Sequence, residues 1–398
     1  MNDSRKRLPV KIDVDRVGEA AASTSYTREG MREGLAAITR DPKHVRINTE
    51  RLAQVAERLP ISVASNWIEA YREADEHYQH TLPPLPNMEL SDLDVVQWSI
   101  VSSSQGFLFW QREPDGSVVP FTVHVEGRKY VGGSGVEACH ARAIRRGRNI
   151  LDPNVLVNFT MTDLEDHYRD EVTGKVTLQL LEQRLKHFRA VGHVLLDEFD
   201  GHFINVLRRV DGYLYRDDGQ GFIQLLMTKF HEVFDDWPIC KRPNVDAFGL
   251  YMKRTRRSFP PDIDRLLDFK DIEKVVVGAD YYRPLWFIRT GIFEISDELK
   301  RKLRRKELID ADSQMEREYR AFTIEAWFEL ANRLGGWPFA AAAIVLETHA
   351  QPYLRCRRCR VGIPEDELPC PYGPVCKASH EDHELMECGW PLVLTTAY

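Results

Sequence analysis

Helical spacing of apolar side chains restricts this chain more than any other feature. Between Leu178 and Phe199 they recur at Leu178, Leu181, Leu185, Phe188 and Leu195, and further on at Ile324, Trp327, Phe328, Ala331 and Leu334. A period near 3.6 residues places each set on one helix face, which then needs a covering surface. Leu52, Val55, Ala56 and Leu59 repeat the spacing within Asn48 to Leu59, just before Pro60, where a helix stops. Hydrophobic residues make up 43% of the 398, enough for one large core or two modest ones, and one main domain with appendages is expected.

Between Val95 and Val131 the pattern changes. Val95 to Val101, Phe107 to Trp110 and Phe121 to Val125 are β-rich, with turn signals at Asp115-Gly116 and Glu126-Gly127. A strand here would put Phe107 and Phe109 on one face and Trp110 on the other. Thr162-Asp-Leu-Glu165 and Ser313-Gln-Met-Glu316 read as capping boxes that open helices. There is no solenoid repeat and no βαβ pattern with a Gly-rich phosphate loop. The expected fold class is mainly α with a small antiparallel β-meander.

A formal charge of -7 argues against a broad nucleic-acid surface, which needs a basic stripe, but leaves room for a small anionic ligand. The basic start is followed by no apolar h-region, and the longest apolar run, Trp337 to Leu346, is too short to cross a bilayer and reads as a buried helix. A cytoplasmic protein is expected, with residues 1–25 as a mobile arm, 26–350 as the main domain and 351–398 as a cysteine-rich tail. In that tail Cys356, Cys359, Cys370 and Cys376, followed by His380, His383 and Cys388, could converge on a structural zinc ion. They could equally be free thiols, and an iron-sulfur cluster is a third option.

No P-loop, GxSxG elbow, HExxH helix or GxGxxG junction occurs. Local clusters remain, each with a structural reading beside the functional one. Phe107, Phe109 and Trp110 are core residues or a base-stacking platform. Lys253 and Arg254 are solvated charges or anion contacts. Asp280 lies between the apolar run Val275 to Val277 and Pro284, where an Asp often caps an element.

Taken in order, these clusters resemble the queuosine salvage family of queuosine 5'-phosphate N-glycosylase/hydrolases. The likeness covers residues 42–350. It begins at Pro42-Lys-His-Val-Arg-Ile-Asn48 and runs through Phe107-Leu-Phe-Trp110, Leu178-Gln-Leu-Leu-Glu-Gln-Arg-Leu185, Ala190-Val-Gly192 and Gly201-His-Phe203. Lys253-Arg254, Ala279-Asp-Tyr281 with Pro284, and Ser313 to Ala321 follow, and the ending Thr395-Thr-Ala-Tyr398 is also similar. The chain departs from the family pattern at Gly106, where the family has Asn, and at Arg283, shifted one place. It departs again at Thr255-Arg256, where the family continues Ala-Gln.

The resemblance implies a DNA-glycosylase-like helical core and hydrolysis of the N-glycosidic bond of queuosine 5'-phosphate, with no cofactor for catalysis and no polymeric nucleic acid as partner. Loss of a base develops oxocarbenium character at C1', which a carboxylate stabilises while it orients water. Asp280 is the candidate carboxylate. Phe107, Phe109, Trp110 and Tyr281 are candidate wall residues, Lys253, Arg254 and Arg283 candidate phosphate contacts. Glu318 and Arg320 either reach the site or pair with each other, whereas Glu316 is expected to be structural. A base glycosylase acting on DNA or RNA and a non-enzymatic adaptor with a metal-binding tail are the competing readings.

Overall fold

A computed structural model describes residues 26–58, 85–113, 115–333 and 372–398. Helices dominate. From the N-terminus come α1 (Arg28–Thr39), β1 (Val45–Ile47), α2 (Thr49–Ala56) and α3 (Asp92–Ser104), then strands β2 (Trp110–Arg112), β3 (Val118–Pro120), β4 (Thr122–Val125) and β5 (Arg128–Val131). Helices α4 (Gly133–Arg145), α5 (Pro153–Val157), α6 (Met161–Tyr168), α7 (Leu181–Glu198), α8 (Phe203–Val210), α9 (Phe222–Lys229), α10 (His231–Phe234), α11 (Lys241–Lys253) and α12 (Pro261–Leu267) follow. The chain continues with α13 (Arg283–Thr290), β6 (Phe293–Ile295), α14 (Asp297–Arg305), β7 (Leu308–Ile309), α15 (Gln314–Arg333), α16 (Lys377–His380) and β8 (Leu392–Val393).

The expected helices form, including α2, whose N-cap Asn48 accepts from the Arg51 amide, and α7. The meander is replaced by isolated strand pairs: β2 with β3, β4 with β5 and β1 with β6 antiparallel, and β7 with β8 parallel. Glu126 and Gly127, both at positive φ, make the tight turn between β4 and β5. Val95 to Val101 is not strand but the middle of α3, where every residue from Val95 to Val101 is buried. A helix enclosed on all sides has no polar face and so loses its period. Its start carries a reciprocal Ser91/Asp94 capping box.

The other two boxes also shift. Helix α6 opens two residues earlier, on a box between Thr160 and Asp163. At α15 the Ser313 hydroxyl accepts from the Glu316 amide (3.3 Å), but the Glu316 carboxylate accepts from Asp312 (2.6 Å) instead of closing the box. The arm at residues 1–25 and the Trp337 to Leu346 segment lie outside the described residues.

Apolar side chains gather in two cores. One is built from α3 to α9 with the inner face of α11 (Ala247, Leu250), the other from α1, α2, α13, α14, α15 and the C-terminal residues around Tyr372, Leu392 and Tyr398. In the first, α5 lies hard against α7 because Gly192 has no side chain: a Cβ there would stand 2.8 Å from Val157 Cγ1 and 2.9 Å from the Pro153 carbonyl. The chain passes from one core to the other at Val275–Val276, just before Asp280. No helix among the described residues is long and apolar enough to cross a membrane.

Candidate active site

Asp280 sits where the cores meet. Its Oδ1 accepts from the amides of Tyr282 (2.8 Å) and Arg283 (3.2 Å), which fixes the carboxylate at the start of α13. Its other oxygen makes no hydrogen bond among the described residues, and the side chain is half-buried. Asp280 is therefore both a turn anchor and a carboxylate with a lone-pair face to offer.

A buried ion pair holds that anchor against α11. Arg320, on α15, donates two bonds to Asp236 (2.7 and 2.8 Å), one to Glu316 (3.3 Å) and one through Nε to the carbonyl of Ala279 (3.0 Å). Asp236 Oδ2 in turn accepts from the Lys241 amide at the first turn of α11 (2.9 Å). Burial opposes the Arg320 charge, but Asp236 and Glu316 outweigh it and hold the guanidinium firmly protonated. Arg320 thus fixes the backbone beside Asp280, and Glu316 completes its surroundings in the structural role expected of it. Glu318 does neither of the things weighed for it. Its carboxylate accepts the amides of Lys43 (2.9 Å), His44 (2.6 Å) and Val45 (3.1 Å) and so pins the entry to β1.

Lys241 lies within electrostatic reach of Asp280, with no ion pair between them among the described residues. Burial lowers its ammonium to about 8, with Arg283 pushing the same way and Asp280 and Asp246 pulling back. Gly278 lets these groups close up: a Cβ there would lie 2.6 Å from Val245 Cγ2, 3.3 Å from Arg283 Nη1 and 3.4 Å from Lys241 Cγ. Arg283 donates to the Gly278 carbonyl. The neighbouring Arg242 is buried under Phe107 and Phe234 and caps the carbonyls at the end of α3, Ser103 (3.3 Å) and Ser104 (3.4 Å).

Charges continue along α11. Lys253 lies within electrostatic reach of Glu137, on α4, and Asp246, while Arg254 turns away into ion pairs with Asp264 and Asp268. Of the two Lys-Arg pairs on this helix, the one at Lys241-Arg242 is the pair within electrostatic reach of Asp280. Sequence reading missed it, although the same dipeptide stands there in plain view; what was lacking was the knowledge that the chain folds Asp236, Lys241 and Asp280 onto one spot.

Phe107 and Phe109 are not in a strand. β2 begins only at Trp110, because Leu108 takes a positive φ of 50° and breaks the alternation. The buried Arg184 grips this bend, donating to the carbonyls of Gln105 (2.9 Å), Phe107 (2.6 Å) and Leu108 (3.3 Å), with its guanidinium 4.1 Å from the Phe107 ring centre. Phe107 and Trp110 are buried and belong to the core, whereas Phe109 is half-buried and lies over Gly133 at the start of α4. Among the three, Phe109 has ring surface to give a ligand. Tyr281 is buried among Tyr282, Trp390 and Tyr398.

The family model for the queuosine salvage protein matches residues 87–335. The chain belongs to the queuosine salvage protein family. Relatives named queuosine 5'-phosphate N-glycosylase/hydrolase include one from Nematostella vectensis, 27% identical over 305 residues that span 74% of this chain and 80% of the relative. The Mus musculus relative is 22% identical over 355 residues, 86% of this chain and 98% of its own length. A bacterial relative, from Sphaerobacter thermophilus, is 25% identical over 269 residues, 63% and 75% of the two chains. The family match contains Asp280, Lys241, Arg320 and the Phe107 to Trp110 bend, so the site described above lies inside it.

Of the four tail cysteines, Cys356, Cys359 and Cys370 lie outside the described residues. Cys376 is half-buried with its thiol 3.4 Å from the Arg289 carbonyl, and no cluster of three or more His, Cys, Asp or Glu among the described residues is arranged to hold a metal.

Proposed function

We propose that this queuosine salvage protein hydrolyses the N-glycosidic bond of queuosine 5'-phosphate and releases queuine in the cytoplasm. The observation that carries the reading is Asp280: one carboxylate oxygen is fixed by backbone amides, the other makes no hydrogen bond among the described residues, and the Lys241 ammonium lies within electrostatic reach. Oxocarbenium character at C1' calls for such a preorganised negative group, which can also align the attacking water. Queuine is a 7-deazapurine, so protonation at N7 cannot activate its departure. The base has to be held by stacking and hydrogen bonds instead, as base-excising enzymes hold a flipped base. Phe109 offers the stacking face.

Lys241 and Arg283 flank Asp280 and supply fixed cations for a 5'-phosphate, with Lys253 further along α11. Arg254, engaged by two carboxylates, has a smaller part in this reading. Incubation with queuosine 5'-phosphate, queuosine and guanosine 5'-phosphate, with products read by mass spectrometry, tests it. Queuine release fastest from the queuosine 5'-phosphate is the expected result, and no release from either queuosine form would overturn the proposal. The tail zinc is proposed as a structural ion only; protein produced with zinc supplied should hold about one equivalent, and less than a tenth of an equivalent would exclude it.

A further inference from the structure

Tyr398 has no part in the chemistry above, yet it touches both ends of the site. Strand β8 leads to it, paired in parallel with β7 through Leu392 with Leu308 and Val393 with Ile309. The side chain of Tyr398 is buried, with 2% of its surface exposed. Its hydroxyl shares a hydrogen bond of 2.6 Å with the hydroxyl of Tyr319, a buried residue of α15. Its main-chain oxygen accepts from the amide of Leu108 (2.9 Å).

At the carboxylate end the contact is with Arg320. All three nitrogens of that guanidinium donate in its plane, to Ala279, Asp236 and Glu316. Its flat face is left, and the centre of the Tyr398 ring lies 4.2 Å from the guanidinium carbon. A ring in that place attracts the cation without competing for a donor, and the attraction grows where both partners are desolvated. Arg320 in turn holds the carbonyl of Ala279, and Asp280 is the next residue. The Tyr398 ring centre also lies 6.0 Å from that of Tyr281, the residue after Asp280. At the stacking end, Leu108 precedes Phe109 and takes a positive φ of 50°, which leucine rarely adopts. Arg184 holds the carbonyl of Leu108 and Tyr398 its amide, so this bend is gripped on both sides of one residue.

We propose that Tyr398 is a positioning residue for hydrolysis: its ring on the Arg320 face and its main-chain oxygen on the Leu108 amide together set the separation between the Asp280 carboxylate and the Phe109 ring. The assignment rests on the hydrolase reading above. In that reaction C1' has to sit at the carboxylate while the departing base is held on the stacking face. An error of about 1 Å between the two costs on the order of a hundredfold in rate. Such an error is felt in the transition state more than in substrate binding, so kcat falls while KM stays.

Wild type, Tyr398→Phe, Tyr398→Leu and a variant carrying pentafluorophenylalanine at position 398 test the assignment, with kcat and KM for queuosine 5'-phosphate measured well below each melting temperature. Tyr398→Phe keeps the ring face and loses the hydroxyl bond, so its kcat should stay within about threefold of wild type. Tyr398→Leu fills the space without a π face, and its kcat should fall on the order of a hundredfold with KM within about threefold. Pentafluorophenylalanine keeps the shape of the ring and reverses the charge of its face. That variant should fold as Tyr398→Phe does and turn over at least about tenfold more slowly, which decides the matter where Tyr398→Leu does not fold. The assignment is overturned by a kcat loss under tenfold in folded Tyr398→Leu, by a loss carried by KM, by a Tyr398→Phe more than tenfold slower than wild type, or by a fluorinated variant less than tenfold slower than Tyr398→Phe. A wild type that releases no queuine removes the hydrolase reading and the positioning role together. An active wild type with any of those results removes the positioning role alone.

Discussion

Asp280→Asn separates the turn anchor seen in the structure from the catalytic role proposed for the same side chain. Asn keeps an acceptor for the Tyr282 and Arg283 amides but loses the charge, so the turn should survive while kcat falls a hundredfold to a thousandfold, about 3 to 4 kcal/mol of barrier. Asp280→Ala should lose the same activity and in addition about 0.5 to 2 kcal/mol of stability. Single-turnover hydrolysis and thermal melting on both variants check this; an Asn variant within threefold of wild type would move the catalytic carboxylate elsewhere. Lys241 adds a pH limit. Its depressed ammonium loses its proton as pH rises through about 8, so KM for the phosphate substrate should climb above that pH. In Lys241→Arg the climb should disappear, since guanidinium stays charged. The sequence marked Asp280 as an Asp at the end of an element, which is the turn anchor the structure shows, and the family-like Ala279-Asp-Tyr281 with Pro284 made it the candidate carboxylate. Lys241 was not legible, since its meaning depends on which residues from distant elements lie near it; Glu318 was a candidate through the family-like run Ser313 to Ala321, and its three amide partners lie about 275 residues away in sequence.

At the level of elements, amphipathic helices such as α2 and α7 could be read directly, and those without a polar face could not. Helix α3 is rich in β-branched residues and buried all round, so propensity pointed to strand, and the tertiary enclosure together with the Ser91/Asp94 capping box made it a helix. The Phe107 to Trp110 bend escaped for a different reason: Leu at positive φ is rare, and here it is held by a side chain from α7. That makes Arg184 the support of the bend. Arg184→Met should cost on the order of 3 kcal/mol or more, because the buried Phe107 and Leu108 carbonyls lose the guanidinium at once while Gln105 keeps only the Phe107 amide, and should reduce turnover further by releasing Phe109. Urea midpoints together with kcat measured far below the transition test both parts; a midpoint shift under about 1 kcal/mol would mean that water or another donor replaces the guanidinium.

Among the described residues of the molecule, burial keeps three histidines neutral. His140 and His167 share a hydrogen bond of 2.8 Å inside an aromatic shell, and His187 is bonded to the Ser104 carbonyl. Desolvation lowers His140 and His187 to about 3 and His167 well below its ordinary value. A base whose proton affinity is lower folded than unfolded contributes its full stability above the unfolded pKa of about 6.5 and loses it as pH falls toward the folded value. Each histidine should thus remove about 1.4 kcal/mol per pH unit below 6.5. Urea midpoints at pH 7.5 and 5.5 should differ accordingly, and equal midpoints would show that these rings are already charged in the native state.

The Asp236 and Arg320 pair has a consequence for motion. It joins the first turn of α11 to the strand-like run ahead of α13, and those two stretches belong to different cores. Opening one core should therefore strip the Asp280 carboxylate of its backbone frame. In native-state hydrogen exchange the amides of Lys241, Tyr282 and Arg283 should open together as one cooperative unit, and a bound nucleotide should slow all three by the same factor.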